Sequence, residues 1–155
     1  MFLEYGVFYL KMENEDKIKK KELRLGVLRG ILAENYAKYK MQEEGYEMTK
    51  LTGRTKEGQF FRDFYVVKLI KGYEKDINGF IKFLRDNLYG LPDYIFVKDN
   101  KIGFIEVKSN NAKLKQTQFK TFQILKEKGY EIIIMNFKVE LGIKEEPYTR
   151  YDEYE

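Results

Sequence analysis

Apolar and polar residues alternate along this chain with two periods, one typical of helices and one typical of strands. Between residues 23 and 44 the apolar residues recur at steps of three, four and seven, which places them on one face of a helix. These residues are Leu25, Leu28, Leu32 and Tyr39. Gly45 follows at the position of a helix C-terminal cap, and residues 46–51 predict a short strand.

The next region is interpreted as a loop over residues 52–58 and a helical insertion over residues 58–89. Residues 60–70 are rich in aromatic and β-branched side chains, and we favour a helix there over a strand. The aromatic residues of the whole insertion, residues 58–89, are expected in the core rather than on a platform for nucleic-acid bases. A second stripe has helical spacing throughout, with Ile77, Phe80, Ile81, Leu84 and Leu88. Gly90 and Pro92 then end the helix.

Residues 92–108 predict two adjacent strands joined by a tight turn at Asp99-Asn100. Both strands are apolar almost throughout, which predicts that they lie inside a sheet whose two faces are both buried. Residues 114–128 then predict a helix with one face formed by Gln118, Phe122 and Leu125. Residues 131–137 predict a further buried strand. The order of helices and strands indicates an α/β fold.

The two ends of the chain carry weaker patterns. Residues 2–10 predict a short strand or an irregular arm, and residues 13–22 predict a loop or an early helical turn. Residues 145–155 contain five acidic side chains against one arginine, and we expect a frayed acidic tail. A length of 155 residues fits a single domain, residues 1–155.

Composition narrows the chemistry that the chain can perform. There is no cysteine and no histidine, so disulfides, thiolate metal sites and histidine-based catalysis are excluded. The net charge is +4, and because the tail is acidic the rest of the chain is more basic than this value. A basic body suits a polyanionic partner, although a solvated lysine-rich surface has the same composition. No segment is long and apolar enough to span a membrane, and we expect a cytoplasmic protein or a viral protein acting in a host cytoplasm.

Three charged residues interrupt the apolar strands of residues 92–108. Glu106 and Lys108 are two residues apart, so their side chains point to the same side of a strand. If the strands pair around the turn, Asp93 lies beside Glu106. Two carboxylates are hard oxygen ligands of the kind that Mg²⁺ takes, and a neighbouring ammonium can stabilise the charge that develops on a phosphate. The alternative is a hairpin with ordinary charged ends, but a buried strand makes an unpaired charge costly.

These residues resemble the PD-(D/E)xK nuclease signature. Pro92-Asp93 followed by Ile105-Glu106-Val107-Lys108 has its order and spacing. The segment Gly90-Leu91-Pro92-Asp93, together with Leu114 and Gln118 after the lysine, is similar to the VRR-NUC branch of this superfamily. Archaeal Holliday-junction resolvases are a close second resemblance. The resemblance implies a restriction-endonuclease-like core, which is a mixed central sheet flanked by helices.

The resemblance also implies roles for individual residues. The metal ligands would be Asp93, Glu106, the Val107 carbonyl and Glu34, which matches a glutamate common on the family's first helix. Lys108 would position the attacking water, and Gln118 would orient the site. The cofactor would be Mg²⁺, with Mn²⁺ as a substitute. Lys113, Lys115 and Lys120 would hold the phosphate backbone.

The expected function is that of a metal-dependent DNA endonuclease that is selective for DNA structure, such as branched, flap or single-stranded regions, and that acts in repair, recombination or replication. Two alternatives remain open at the level of the sequence. One is a Holliday-junction resolvase acting as a homodimer. The other is a nucleic-acid-binding module that keeps the fold without cleaving.

Overall fold

The computed structural model describes residues 15–51, 56–141, 147 and 150. Four α-helices and four strands follow one another in these residues. In chain order they are α1 (Glu15–Glu43), β1 (Glu47–Lys50), α2 (Lys56–Ile70), α3 (Ile77–Asp86), β2 (Tyr94–Lys98), β3 (Lys101–Ser109), α4 (Gln116–Glu127) and β4 (Glu131–Phe137), with a short 3₁₀ turn at Leu88–Gly90. The predicted arm at residues 2–10, the loop residues 52–55 and most of the acidic tail lie outside the described residues.

The four strands form one mixed sheet in the order β1-β2-β3-β4. The first three strands are antiparallel and β4 runs parallel to β3. The predicted tight turn is confirmed, because Asp99 and Asn100 both have left-handed φ angles, of 50° and 62°, and Lys98 pairs with Lys101. This two-residue turn fixes the register of the hairpin. A mixed sheet flanked by helices confirms the predicted α/β fold class.

Helices cover both faces of the sheet. On one face, α1 packs Ala33, Ala37 and Met41 against a cluster that includes Tyr94 and Phe96. On the other face, the core combines residues of α2, α3, α4 and the middle strands: Val66, Ile70, Phe80, Leu84, Leu125, Ile95, Val97 and Phe104. The predicted stripe of α3 is confirmed, since its two fully buried residues are Phe80 and Leu84.

The inner face of α1 differs from the predicted one. The fully buried positions are Ala33, Ala37 and Met41, whereas Tyr39 is 70% exposed. Small alanines let the helix backbone approach the sheet closely, but they contribute little to a hydrophobic pattern, so the larger leucines dominated the prediction. The helix also begins at Glu15, so of the two alternatives for residues 13–22, a loop or an early helical turn, the structure has the helical one from that residue onward.

The predicted burial of β4 on both faces is wrong. β4 pairs only with β3 in the described part of the chain, and Ile134 is 42% exposed. An edge strand has one neighbour only, so its apolar residues are covered less completely than those of β2 and β3.

The prediction that the aromatic residues of the insertion lie in the core is confirmed for Phe80 of α3 and is wrong for the aromatic residues of α2. The helix turns Arg62, Val66 and Ile70 inward, at steps of four, and leaves its aromatic residues in solvent. The exposed residues are Phe60, Phe61, Phe64 and Tyr65.

The buried Arg62 is paired with its neighbour Asp63, at 2.8 Å, and Asp63 also binds Arg85 of α3 at 2.8 Å. This ion-pair network ties α2 to α3. No helix in the described residues is long and apolar enough to cross a membrane.

Candidate active site

The hairpin of β2 and β3 brings Asp93 opposite Glu106. Tyr94 pairs with Ile105, and one step further along the same antiparallel register Asp93 faces Glu106. The Asp93 carboxylate accepts a hydrogen bond from the Val107 backbone N–H at 2.7 Å. Its backbone carbonyl accepts the Leu51 N–H at 2.8 Å, just after β1 ends. Asp93 is therefore held by the backbone on both sides.

Glu106, Lys108 and Gln118 form a connected group beside Asp93. Glu106 Oε1 lies 3.1 Å from Lys108 Nζ and accepts a hydrogen bond from Gln118 Nε2 at 3.0 Å. Lys108 Nζ also donates to Gln118 Oε1 at 3.2 Å. As predicted, the side chains of Glu106 and Lys108 point to the same side, and Val107 packs into the core on the other face.

The first turn of α4 orients the glutamine. Gln118 Oε1 accepts the backbone N–H of Lys115 at 3.0 Å, which satisfies one of the donors left open where a helix begins. The same oxygen also accepts a hydrogen bond from Lys108, and the amide nitrogen of Gln118 donates one to Glu106. One side chain thus fixes both charged groups relative to the helix.

The two carboxyl groups are under electrostatic strain. Burial, together with the nearby Glu106 charge, raises the pKa of Asp93 from its ordinary value of 3.8 to about 7, although the Val107 N–H acts in the opposite direction. Burial also raises the pKa of Glu106, against the lowering effect of Lys108 and Gln118. Glu106 is 3% exposed, and its Oε2 is one of three buried side-chain polar atoms without a hydrogen-bond partner in the described residues.

These properties fit a divalent cation. A bound cation would neutralise the two adjacent carboxylates, and the unpartnered Glu106 oxygen would become one of its ligands. Oxygen donors are also the ligands that Mg²⁺ prefers. The described residues contain no cluster of three acidic side chains close enough to bind one ion, and the two carboxylates brought together here are those of Asp93 and Glu106.

Glu34 lies near this pair but has a different partner. Its side chain forms an ion pair with Lys50 at 3.0 Å, and its charge contributes to the raised pKa of Asp93. The Tyr94 hydroxyl donates to the Glu34 backbone carbonyl at 3.2 Å, which ties α1 to the beginning of β2. Burial and the Glu34 charge raise the pKa of that hydroxyl.

Lys50 is the site residue that the sequence analysis missed. It is the last residue of β1 and pairs with Tyr94, next to Asp93. No motif marks it, and only the pairing of β1 with β2 could have indicated its position. The three lysines predicted to bind nucleic acid are all exposed around the beginning of α4: Lys113, Lys115 and Lys120.

A mixed sheet with an Asp, a Glu-x-Lys and a helix glutamine in contact defines a nuclease domain of the PD-(D/E)xK type. The family model described as the VRR-NUC domain matches residues 27–138, which include every residue of the candidate active site. The chain belongs to the VRR-NUC domain family, whose substrate class is DNA. Comparisons with curated proteins and with solved structures gave no match.

Proposed function

We propose that this protein is a Mg²⁺-dependent DNA endonuclease, with Mn²⁺ as an effective substitute, that hydrolyses phosphodiester bonds and leaves a 5′-phosphate. The observation that carries the proposal is the contact of Glu106 with Lys108 and Gln118, beside an Asp93 whose pKa is raised to about 7. Groups with strongly perturbed pKa values and a specific charge partner are typical of active sites.

Asp93 and Glu106 would hold the metal ion. The Val107 carbonyl is a further candidate ligand, because the N–H and C=O of a strand residue point to the same side and the Val107 N–H points to Asp93. Glu34 would complete the set directly or through water, once it exchanges Lys50 for the ion. When bound, the ion would lower the pKa of a water ligand and neutralise charge on the phosphate.

Lys108 would act on the attacking water and on the phosphate. Its ammonium is held within 3.2 Å of both Glu106 and Gln118, so it is oriented before substrate binds. An oriented cation stabilises charge that develops in the transition state without a cost for reorganisation. Gln118 would keep the lysine and the carboxylate in this arrangement. The exposed Lys113, Lys115 and Lys120 would contact the phosphate backbone.

The test uses labelled single-stranded, duplex, flap, splayed-arm and four-way DNA, each with Mg²⁺, Mn²⁺ or EDTA. Asp93→Asn and Glu106→Gln should lose cleavage with every metal, and Asp99→Asn in the hairpin turn is the matched control that should cleave as the wild type does. Normal cleavage by Asp93→Asn would refute the proposal. Cutting of four-way junctions alone by a dimer would identify a resolvase, and binding without cutting would identify a non-catalytic module.

A further inference from the structure

A row of aromatic side chains is exposed along α2, on the face of the sheet opposite α1. Phe60 is 69% exposed and Phe64 is 58% exposed, and Phe61 and Tyr65 beside them are exposed as well. Phe60 packs edge-to-face on Phe61, with ring centroids 5.8 Å apart, and Phe64 packs in the same way on Tyr65 at 5.4 Å. A contiguous exposed apolar patch of this kind marks an interaction surface.

Phe60 and Phe64 form one wall of an open groove of about 810 Å³ between α2 and α3. Basic residues of both helices also line this groove: Lys68, Lys71, Lys82 and Arg85. Its acidic residues are Asp63 and Asp86, and because Asp63 pairs with Arg85, the three lysines outweigh the single charge of Asp86. The groove therefore combines exposed aromatic rings with a net positive charge. We call it the aromatic-basic groove.

We propose that the aromatic-basic groove binds single-stranded DNA, with unpaired bases stacked on Phe60 and Phe64 and the backbone phosphates beside the lysines. Surfaces that bind single strands combine a positively charged groove with aromatic side chains on which bases stack. Bases inside a duplex are already stacked on one another, so they cannot use these rings. A second copy of the chain is a poor occupant, because a two-fold interface would bring the same basic residues against each other.

The groove lies within reach of a strand that occupies the active site. Leu51 is hydrogen-bonded to Asp93, and α2 begins five residues later. The chain spans at most about 18 Å over those five residues, and Phe60 lies about 6 Å further along the helix. One nucleic-acid strand rises about 3.4 Å per nucleotide in a duplex, so the upper limit of about 24 Å corresponds to at most about seven nucleotides. The groove thus selects DNA with an unpaired segment near the cut, which goes beyond the proposed endonuclease activity.

The chain contains no tryptophan, so a single introduced indole reports on this surface alone. In EDTA, where a metal-dependent enzyme does not cleave, the fluorescence of Phe60→Trp is measured while oligothymidylate is added. We expect saturable quenching as a base stacks on the indole. Tyr39→Trp on α1, equally exposed on the other side of the sheet, is the control and should not respond. An indole at position 60 that does not respond to DNA, or that emits as a buried indole because another part of the chain covers it, would overturn the proposal.

Binding affinities give a second, independent measurement. Phe60→Ala/Phe64→Ala should weaken binding of oligothymidylate by about tenfold or more, as expected for the loss of stacked bases, and should leave duplex binding within about twofold. Lys68→Ala/Lys82→Ala should reduce the salt dependence of the same binding. An equal loss for single strand and duplex, or conversion of a dimer to a monomer by the phenylalanine variant, would overturn the single-strand assignment.

The same measurements separate this inference from the proposed function. Lys101→Ala should bind oligothymidylate as the wild type does, because Lys101 begins β3 and lies outside both the groove and the candidate active site. Failure of DNA cleavage would leave the binding results standing, and failure of binding would leave cleavage of duplex DNA standing.

Discussion

The buried carboxylate pair predicts an unusual dependence of stability on pH in the absence of metal. The pKa of Asp93 is raised from 3.8 to about 7, so the folded protein binds more protons than the unfolded chain between these two values. Stability must then fall as pH rises through this window, because folding requires Asp93 to take up a proton that the unfolded chain has already released. The direction is opposite to that of an ordinary salt-bridged aspartate.

The magnitude follows from the same two values. Between pH 5 and pH 8, a group with these pKa values lowers the free energy of unfolding by at most about 3 kcal/mol. Asp93 is partly exposed, so screening by solvent reduces this to about 1–2 kcal/mol. For a chain of this length, that change corresponds to a fall in Tm of about 2–8 °C.

The assay is thermal unfolding in EDTA at a series of pH values, for wild type, Asp93→Asn and the control Asp99→Asn. The asparagine at position 93 keeps an oxygen that can accept the Val107 N–H, so the fold should be retained. We expect Asp93→Asn to lose most of the decline between pH 5 and pH 8 and to be more stable than wild type at pH 8. A wild-type Tm that does not fall, or an equal fall in Asp93→Asn, would refute the reasoning.

Three further predictions concern the site and its support. At pH 8, Mg²⁺ at about a hundred times its Kd should stabilise the wild type by about 2.7 kcal/mol and should have little effect on Asp93→Asn, as thermal shift will show. Gly90→Ala should lower the free energy of unfolding by about 1–3 kcal/mol in urea and should reduce cleavage, because its Cβ would lie 2.6 Å from the Thr117 carbonyl of α4. Asp63→Ala should lower the free energy of unfolding in urea by about 3–5 kcal/mol, because it leaves the buried Arg62 unpaired. Asp63→Asn keeps a hydrogen-bond acceptor for Arg62 and should lower it by less.

The hairpin and its charged residues could be predicted from sequence because they depend on local rules. Alternation along a strand puts Glu106 and Lys108 on one side, and a two-residue turn at Asp99-Asn100 then leaves a single register in which Asp93 faces Glu106. The direction of Gln118 could be predicted from the sequence for a similar reason. Its helical spacing from Phe122 and Leu125, both buried, turns it toward the sheet.

What the sequence could not reveal depends on contacts between distant elements. Whether Glu34 meets a metal or a lysine depends on how α1 lies across β1, and Lys50 has no signature of its own. Arg62 is buried because it pairs with Asp63, which Arg85 of α3 also binds, so a hydrophobicity pattern alone assigns Arg62 to the surface. The exposed aromatic residues of α2 are the converse case, because apolar composition alone does not indicate which face of a helix packs.

We propose that Lys108 works with Asp93 and Glu106 in metal-dependent cleavage of DNA. The most direct test compares wild type, Lys108→Ala and Lys101→Ala on the labelled DNA panel with Mg²⁺ and with EDTA. Lys101 begins the same strand and is exposed, so it controls for the loss of one positive charge. We expect metal-dependent cleavage by wild type and Lys101→Ala and no cleavage by a folded Lys108→Ala. Cleavage by Lys108→Ala at the wild-type rate, or wild-type cleavage that persists in EDTA, would contradict it.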